Sequence, residues 1–322
     1  MDFYSINILP VEIWNLIFEH SNNYNLLFAS KYYFELLNLI TNNDNILEQA
    51  IINGHLHIVL YINYLKKKGN VLMDKINFKS LGLQNYFYIA CKFGHIDIVR
   101  YLHSQGANII EDDNKALIEA CTGGHKIVVE YLLSKGANMY AKDNYPIIIA
   151  TINGYLDIVS LFVSMNHNIL GLIYIPAIDN NQLEIVKFLR SSGLDIHIYH
   201  DYGLRKSAEC NYFDLLKYLI SEGANIRVYQ NYAITKSFQN GHYEVVKYLL
   251  SLGIDVVKEN VGIYINHVLN KAVVKCDLEL VELLISMGTN ITQILALAKK
   301  YNCHKIIEFV EEKIEKKYVI NL

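Results

Sequence analysis

Apolar residues recur along this chain with the spacing of one buried helix face, and the pattern restarts about every thirty residues. Its clearest copy, residues 94–108, reads GHIDIVRYLHSQGAN. Aligned on the first glycine of that run, the copies fall at Gly54, Gly94, Gly124, Gly154, Asn181, Asn211, Gly241, Cys276 and Asn302. Four intervals, 94 to 124, 124 to 154, 181 to 211 and 211 to 241, are 30 residues long. Four and five residues after each anchor stands an aliphatic pair, from Ile58 and Val59 to Ile306 and Ile307. Three positions further on the apolar residue returns, as Ile62, Leu102, Leu132, Phe162, Leu189, Leu219, Leu249, Leu284 and Val310. Such spacing places them on one side of a helix. Four residues before every anchor the side chain is small: Ala50, Ala90, Ala120, Ala150, Ala177, Ser207, Ser237, Ala272 and Ala298. A small residue kept at one register position marks where a first helix lies close against its neighbour.

The same register shows where each second helix ends. Twelve residues after the anchor stands Gly106, Gly136, Gly193, Gly223, Gly253 or Gly288, with Asn166 in the fourth full-length copy. A left-handed position after a helix accepts glycine, then asparagine, because a Cβ there costs roughly 1–2 kcal/mol. Two residues later comes Asn108, Asn138, Asn168, Asp195, Asn225, Asp255 or Asn290, whose short side chain bonds to nearby backbone and favours a turn. Each unit is therefore expected to be a short helix, a tight turn, a second helix, a glycine stop and an extended loop. One such unit does not stand alone. Ordering its backbone costs roughly 1–2 kcal/mol per residue, whereas its half-dozen apolar side chains return about 1.5–3 kcal/mol each. Neighbours must cover both faces.

The run A-x-x-x-G-H-x-[DE]-[IV]-V-x-Y-L-x-x-x-G-A-N resembles the ankyrin repeat, most clearly at residues 90–108, 120–138 and 237–255. The resemblance covers roughly residues 41–317. It departs from the family in its opening, which survives only as Tyr145-Pro146-Ile147-Ile148, and in a period of 30 rather than the usual 33 or so. Membership implies an all-α ankyrin-repeat solenoid of about nine helix-turn-helix repeats over residues 41–322. The last helix, with Glu311, Glu312, Lys313, Glu315, Lys316 and Lys317, reads as a polar C-terminal cap. His55, His95, His125 and His242 share one register position, where the family's histidine satisfies local backbone groups, so they are read as structural. Three intervals break the rhythm. A ten-residue insertion lies within residues 69–83, the step from Gly154 to Asn181 is three residues short and should weaken or bend the array, and extra residues lie within 256–267.

Such arrays are protein–protein interaction scaffolds that bind with their finger tips and the adjoining inner helices. The tips here carry Asp112, Asp113, Tyr140, Asp143, Tyr145, Tyr199, Asp201, Tyr202, Tyr229 and Tyr232. Tyrosine offers large contact area at low entropic cost, so this row is the candidate partner-binding surface. Not all of the 25 tyrosines serve that purpose; Tyr101, Tyr131, Tyr218 and Tyr248 stand where the stack otherwise uses leucine.

Residues 1–40 fall outside the repeat. They contain Leu9-Pro10-Val11-Glu12-Ile13-Trp14-Asn15-Leu16-Ile17-Phe18 and a second helical stretch through Phe34, with proline suited to a first helical turn. The order resembles an F-box, the helical module that docks on a Skp1-type adaptor of cullin ubiquitin ligases. That resemblance assigns Leu9, Pro10, Ile13 and Ile17 to adaptor contact and makes ligase recruitment of a target one reading. The other is a plain scaffold or competitive decoy, with residues 1–40 only capping the first repeat.

Composition narrows the rest. A net charge of −3 and a pI near 6.5 provide no basic face for nucleic acid. The five cysteines stand in different repeats without a C-x-x-C pair, so neither a zinc site nor a disulfide framework is expected, and a reducing, cytoplasmic setting fits. Residues 158–178 carry no charge but contain Asn166, His167, Asn168 and Pro176 at a repeat junction; they read as two core helices, not a membrane span. The start lacks the positive region of a signal peptide. No phosphate-cradling loop or nucleophile elbow is present, so no enzyme, cofactor or metal is expected. Heavy use of Asn, Ile, Lys and Tyr with three prolines resembles the ankyrin proteins of giant DNA viruses of amoebae.

Overall fold

The computed structural model describes residues 46–67, 82–254, 262–286 and 288–319, and all regular structure among them is helical. Leu9, Pro10, Ile13 and Ile17, with the whole 1–40 segment, lie outside the described residues, as do residues 69–81 and 256–261 of the two insertions. Contacts divide the chain into two compact units that meet in sequence at Ile169 and Leu170, inside the short interval between Gly154 and Asn181.

Among the described residues the first unit stacks four helix pairs: α1 (Ile46–Ile52) with α2 (Leu56–Lys67), α3 (Leu83–Phe93) with α4 (Ile96–Ser104), α5 (Glu111–Gly123) with α6 (Lys126–Ser134), and α7 (Ala141–Ile152) with α8 (Leu156–Met165). A 3-10 turn, His167–Ile169, closes it. The second unit stacks five: α9 (Leu170–Asp179) with α10 (Leu183–Ser191), α11 (Ile198–Cys210) with α12 (Phe213–Ser221), α13 (Val228–Asn240) with α14 (Tyr243–Ser251), α15 (Gly262–Val274) with α16 (Leu278–Ser286), and α17 (Ile291–Lys300) with α18 (His304–Val319). Within each unit the first helices of successive pairs pack on one another in one layer, α3 on α5 and α11 on α13 among them. Second helices form the other layer, as α4 against α6 and α16 against α18.

The small register residues are where this packing is tightest. Ala50, Ala90, Ala120 and Ala150 in the first unit, and Ala177, Ser207, Ser237 and Ala298 in the second, are wholly buried. Ser237 shows why size matters there. Its hydroxyl donates to the Ala208 carbonyl of the neighbouring inner helix at 3.2 Å as well as to Ala233 at 2.8 Å, so a larger side chain would meet backbone. The aliphatic pairs up to Leu280 and Val281 are equally buried, with Ile98, Val99 and Leu102 at 4% exposure or less. Tyr101, Tyr131, Tyr218 and Tyr248 are half-buried in the second-helix layer. The Tyr101 hydroxyl accepts from the Asn63 amide, and that of Tyr131 meets His103 Nδ1 at 2.7 Å, each one repeat back.

The stop glycines take positive φ, from 83° at Gly253 to 102° at Gly106. Asn166 does not. Its φ of −148° is extended, because the shortened interval sends the chain from Met165 directly into the 3-10 turn. Its side chain then accepts from Asn168 N–H and donates to the Tyr140 hydroxyl, both at 3.0 Å. The residues two beyond the stops make the expected local bonds: Asn108 accepts from Ile110 N–H at 3.1 Å, Asn138 from Tyr140 at 3.0 Å and Asn225 from Arg227 at 2.9 Å. The charge-free run 158–178 resolves into α8 and α9 around the turn. Among the described residues no helix is long and apolar enough to cross a membrane.

The cysteines correct the sequence reading. Cys276 and Cys303 are disulfide-bonded, with Cα atoms 5.8 Å apart. They stand in different repeats, but stacking brings the turn of one repeat under the turn of the next, which spacing along the chain does not reveal. Cys91 and Cys121 are free and buried, and burial raises both thiols well above their usual range.

Candidate interaction edge

The fingers are not simply extended. Several close in a turn of left-handed backbone: Asp112, Asp113 and Asn114 have φ of 50–61°, Lys142, Asp143 and Asn144 of 45–68°, and Tyr199, His200 and Asp201 of 51–55°. Tyr229 and Asn231 repeat the pattern. Within the turn an N–H reaches four residues back, Asn114 to Ile110 at 3.2 Å, Asn144 to Tyr140 at 3.1 Å, Asp201 to His197 at 3.2 Å and Asn231 to Arg227 at 3.3 Å. Every non-glycine residue held there costs roughly 1–2 kcal/mol, least for Asn and Asp. In two of these turns the last residue supplies a counterweight. Asn114 Oδ1 accepts from Asn138 N–H at 2.7 Å and Asp201 Oδ2 from Asn225 N–H at 3.2 Å, each at the base of the next finger. Gln84 makes the same bond to Asn108 at 2.9 Å. Asn114 and Asp201 thus each fasten one finger to the next.

This geometry sorts the candidate residues. Asp112, Asp113 and Asp143 point outward, and Tyr140, Tyr145, Tyr199 and Tyr229 are 41–58% exposed. Asp201 is a correction. It is 8% exposed, with its carboxylate taken by Asn225 N–H and by His197 Nδ1 at 2.7 Å, so it closes a finger and offers nothing to a partner. Tyr202 and Tyr232 are half-buried on the inner helices. Tyr202 donates to Asp179 at 2.5 Å, and burial followed by that carboxylate raises its phenol above the ordinary range.

Each unit presents a different edge. In the first, a cleft of about 630 Å³ lies among Asp112, Asp113, Lys115, Glu119, Lys142 and Tyr145. Tyr88 donates to Asp112 at 3.0 Å, its phenol pushed up to about 12 by burial and then by that carboxylate, and Lys115 lies 4.7 Å from its ring centre. In the second unit the centre is Arg205, which sequence reasoning missed. Its guanidinium donates to the carbonyls of His200 at 3.1 Å and Tyr199 at 3.0 Å. It also lies 4.8 Å from the Tyr229 ring, 5.6 Å from Tyr232 and 5.8 Å from Tyr202. One side chain therefore holds one strained tip and stacks on the next. The available signal was a cation three residues after Tyr202, on the same helix face.

On the opposite edge two turn histidines satisfy backbone, but not locally. His95 Nε2 donates to Ile52 O at 2.8 Å and His242 Nε2 to Glu209 O at 2.9 Å, both in the preceding repeat, and the Tyr212 hydroxyl does the same to Asp179 at 3.0 Å. Each ring also roofs the preceding turn. A Cβ on Gly94 would stand 2.3 Å from His125 Nδ1.

Comparison with known proteins agrees with this architecture. The family model for ankyrin repeats matches at residues 47–143, 87–172 and 174–260. Three proteins of Acanthamoeba polyphaga mimivirus are similar: putative ankyrin repeat protein R844 is 38% identical over 109 residues, 34% of this chain and 51% of the relative. Putative ankyrin repeat protein R840 is 43% identical over 109 residues, 34% and 21% of the two chains, and R880 is 34% identical over 108 residues, 32% and 42%. The matched part of the chain spans about half the length of the first relative and about a fifth of the second. Their source fits the compositional resemblance to giant-virus proteins, and repeats of this kind support a scaffold for protein–protein interaction. With the match covering most of its length, the chain belongs to the ankyrin-repeat family.

Proposed function

We propose that the chain is a binding scaffold whose finger edges grip a protein target, with the tyrosine tips around Arg205 as the anchor. The observation that carries this is the price in backbone strain at those tips. Tyr199 and His200 are held left-handed, and Tyr199 and Tyr229 stay 58% and 57% exposed beside a fixed guanidinium. Pre-ordered aromatic side chains bind without a further ordering cost. Affinity capture from host-cell lysate, comparing the intact chain with Tyr199→Ala/Tyr229→Ala, tests it. The target captured by the intact chain should bind the variant at least about tenfold more weakly, since interface tyrosines contribute roughly 1–2 kcal/mol or more each. Unchanged affinity at unchanged thermal stability would remove the anchor role.

Ligase recruitment is the second reading. It rests on the order of Leu9, Pro10, Ile13 and Ile17. Pull-down with a purified Skp1-type adaptor should retain the intact chain and lose Leu9→Ala/Pro10→Ala. If the intact chain is not retained, the plain scaffold or decoy remains, with residues 1–40 as a cap.

A further inference from the structure

We propose that Cys276 and Cys303 form a reversible thiol–disulfide latch that fastens the last helix pair, α17–α18, onto the pair before it. The case begins with register. Cys276 occupies the anchor position, which elsewhere is Gly54, Gly94, Gly124, Gly154 or Gly241, or else Asn181, Asn211 or Asn302. Cys303 occupies the next position of the following repeat, where His95, His125, Tyr155, Tyr212 and His242 stand, with Gln182 and Asp277 in two other copies. At other junctions these two positions touch: a Cβ on Gly54 would meet the His95 ring at 2.6 Å, and one on Gly124 the Tyr155 ring at 2.5 Å. At this one junction both members of the touching pair are cysteine, and a bond replaces the ring-over-glycine contact.

The backbone supports the same reading. Cys276 has φ of 50°, a left-handed conformation that glycine and asparagine adopt at least cost. A cysteine there is a conformational burden that its sulfur has to offset. Burial gives the two thiols separate tasks, since Cys276 is exposed and Cys303 is 1% exposed. In exchange with a low-molecular-weight disulfide of the glutathione type, the Cys276 thiolate attacks one sulfur, forms a mixed disulfide and expels one thiolate. The Cys303 thiolate then attacks the Cys276 sulfur and expels the second. Two protein thiols lose two electrons and two protons, and one small disulfide becomes two small thiols. Excess small thiol runs the sequence backward.

The latch sits where it matters. Among the described residues α17 packs on α15 and α18 on α16, so the bond ties one helix pair to the next. When this pair opens it uncovers Ile294, Ala298, Ile306 and Val310, all wholly buried. Oxidation holds the end pair down and reduction frees it, independently of what the fingers bind.

The test uses the purified full chain equilibrated in glutathione buffers of graded thiol-to-disulfide ratio. Peptide mass spectrometry should find Cys276 joined to Cys303 in oxidising buffer and both as thiols in reducing buffer, with the native fold kept. Amide exchange in α17–α18 should run at least about tenfold faster in the reduced chain, with α13–α14 unchanged. Cys303→Ser, and Cys276→Gly, which restores the usual anchor residue, should both exchange in either buffer as the reduced chain does. Three results would overturn the proposal: no Cys276–Cys303 bond at any ratio, a bond that resists reduction until the chain unfolds, or equal exchange in α17–α18 with and without it.

Discussion

Gly94→Ala is expected to lower stability by about 2–4 kcal/mol, whereas Gly106→Ala should lower it by only about 1–2 kcal/mol. The two glycines share a positive φ, 78° and 102°, so the cost of a left-handed Cβ is common to both. Space separates them. Around Gly106 nothing lies within 4 Å of an added Cβ, but at Gly94 that atom would stand 2.3 Å from His125 Nδ1 and 2.4 Å from its Cγ. The Cγ is the root of the ring, so a small rotation of the imidazole does not clear it. His125 would have to leave the groove between two turns, and α5–α6 would lose its close seat on α3–α4. Urea unfolding of both variants checks this, read as midpoint shifts at constant slope. Equal losses would show that the ring does not pack over Gly94.

Phe162→Ala should be costlier still, by about 3–5 kcal/mol, through the lost transfer free energy of the ring and the cavity left behind. Phe162 is wholly buried in α8, at the register position where Leu102 and Leu132 stand in the preceding pairs. The unit's stability is a sum over pairs and junctions, so a loss of this size should appear locally. Amide exchange in α7 and α8 should accelerate well before that in α3 and α4. Phe162→Leu, which restores the residue used by neighbouring copies, should recover most of the loss. An alanine variant whose exchange accelerates uniformly through the first unit would contradict the pairwise picture.

How legible the fold was depends on how local each cause is. Ala90, Gly106 and Asn108 could be read directly, because close helix approach, a left-handed stop and a side chain bonded two residues on are demands within one repeat. Repetition then made the reading secure. Asp112, Tyr140 and Tyr199 could be placed at the finger edge for the same reason. The left-handed turns were not legible, since Lys142 and Tyr199 have no preference for that conformation. Two of the turns are held by the bonds of Asn114 to Asn138 and of Asp201 to Asn225, which cross 24 residues. Asp201 looked like a tip residue for want of that bond, and Arg205 was passed over because its ring partners lie on two successive fingers.

The amino-acid order by itself determined the repeat, its two helices, their buried faces and the residues at which each helix stops, because those follow from periodicity and from what a single backbone position tolerates. Only the tertiary structure decided that a turn histidine bonds to the repeat before it, that Asp201 faces inward, and that Cys276 meets Cys303. Those outcomes depend on the register with which one helix pair seats on the next, and register is set by packing across the junction rather than by either repeat alone.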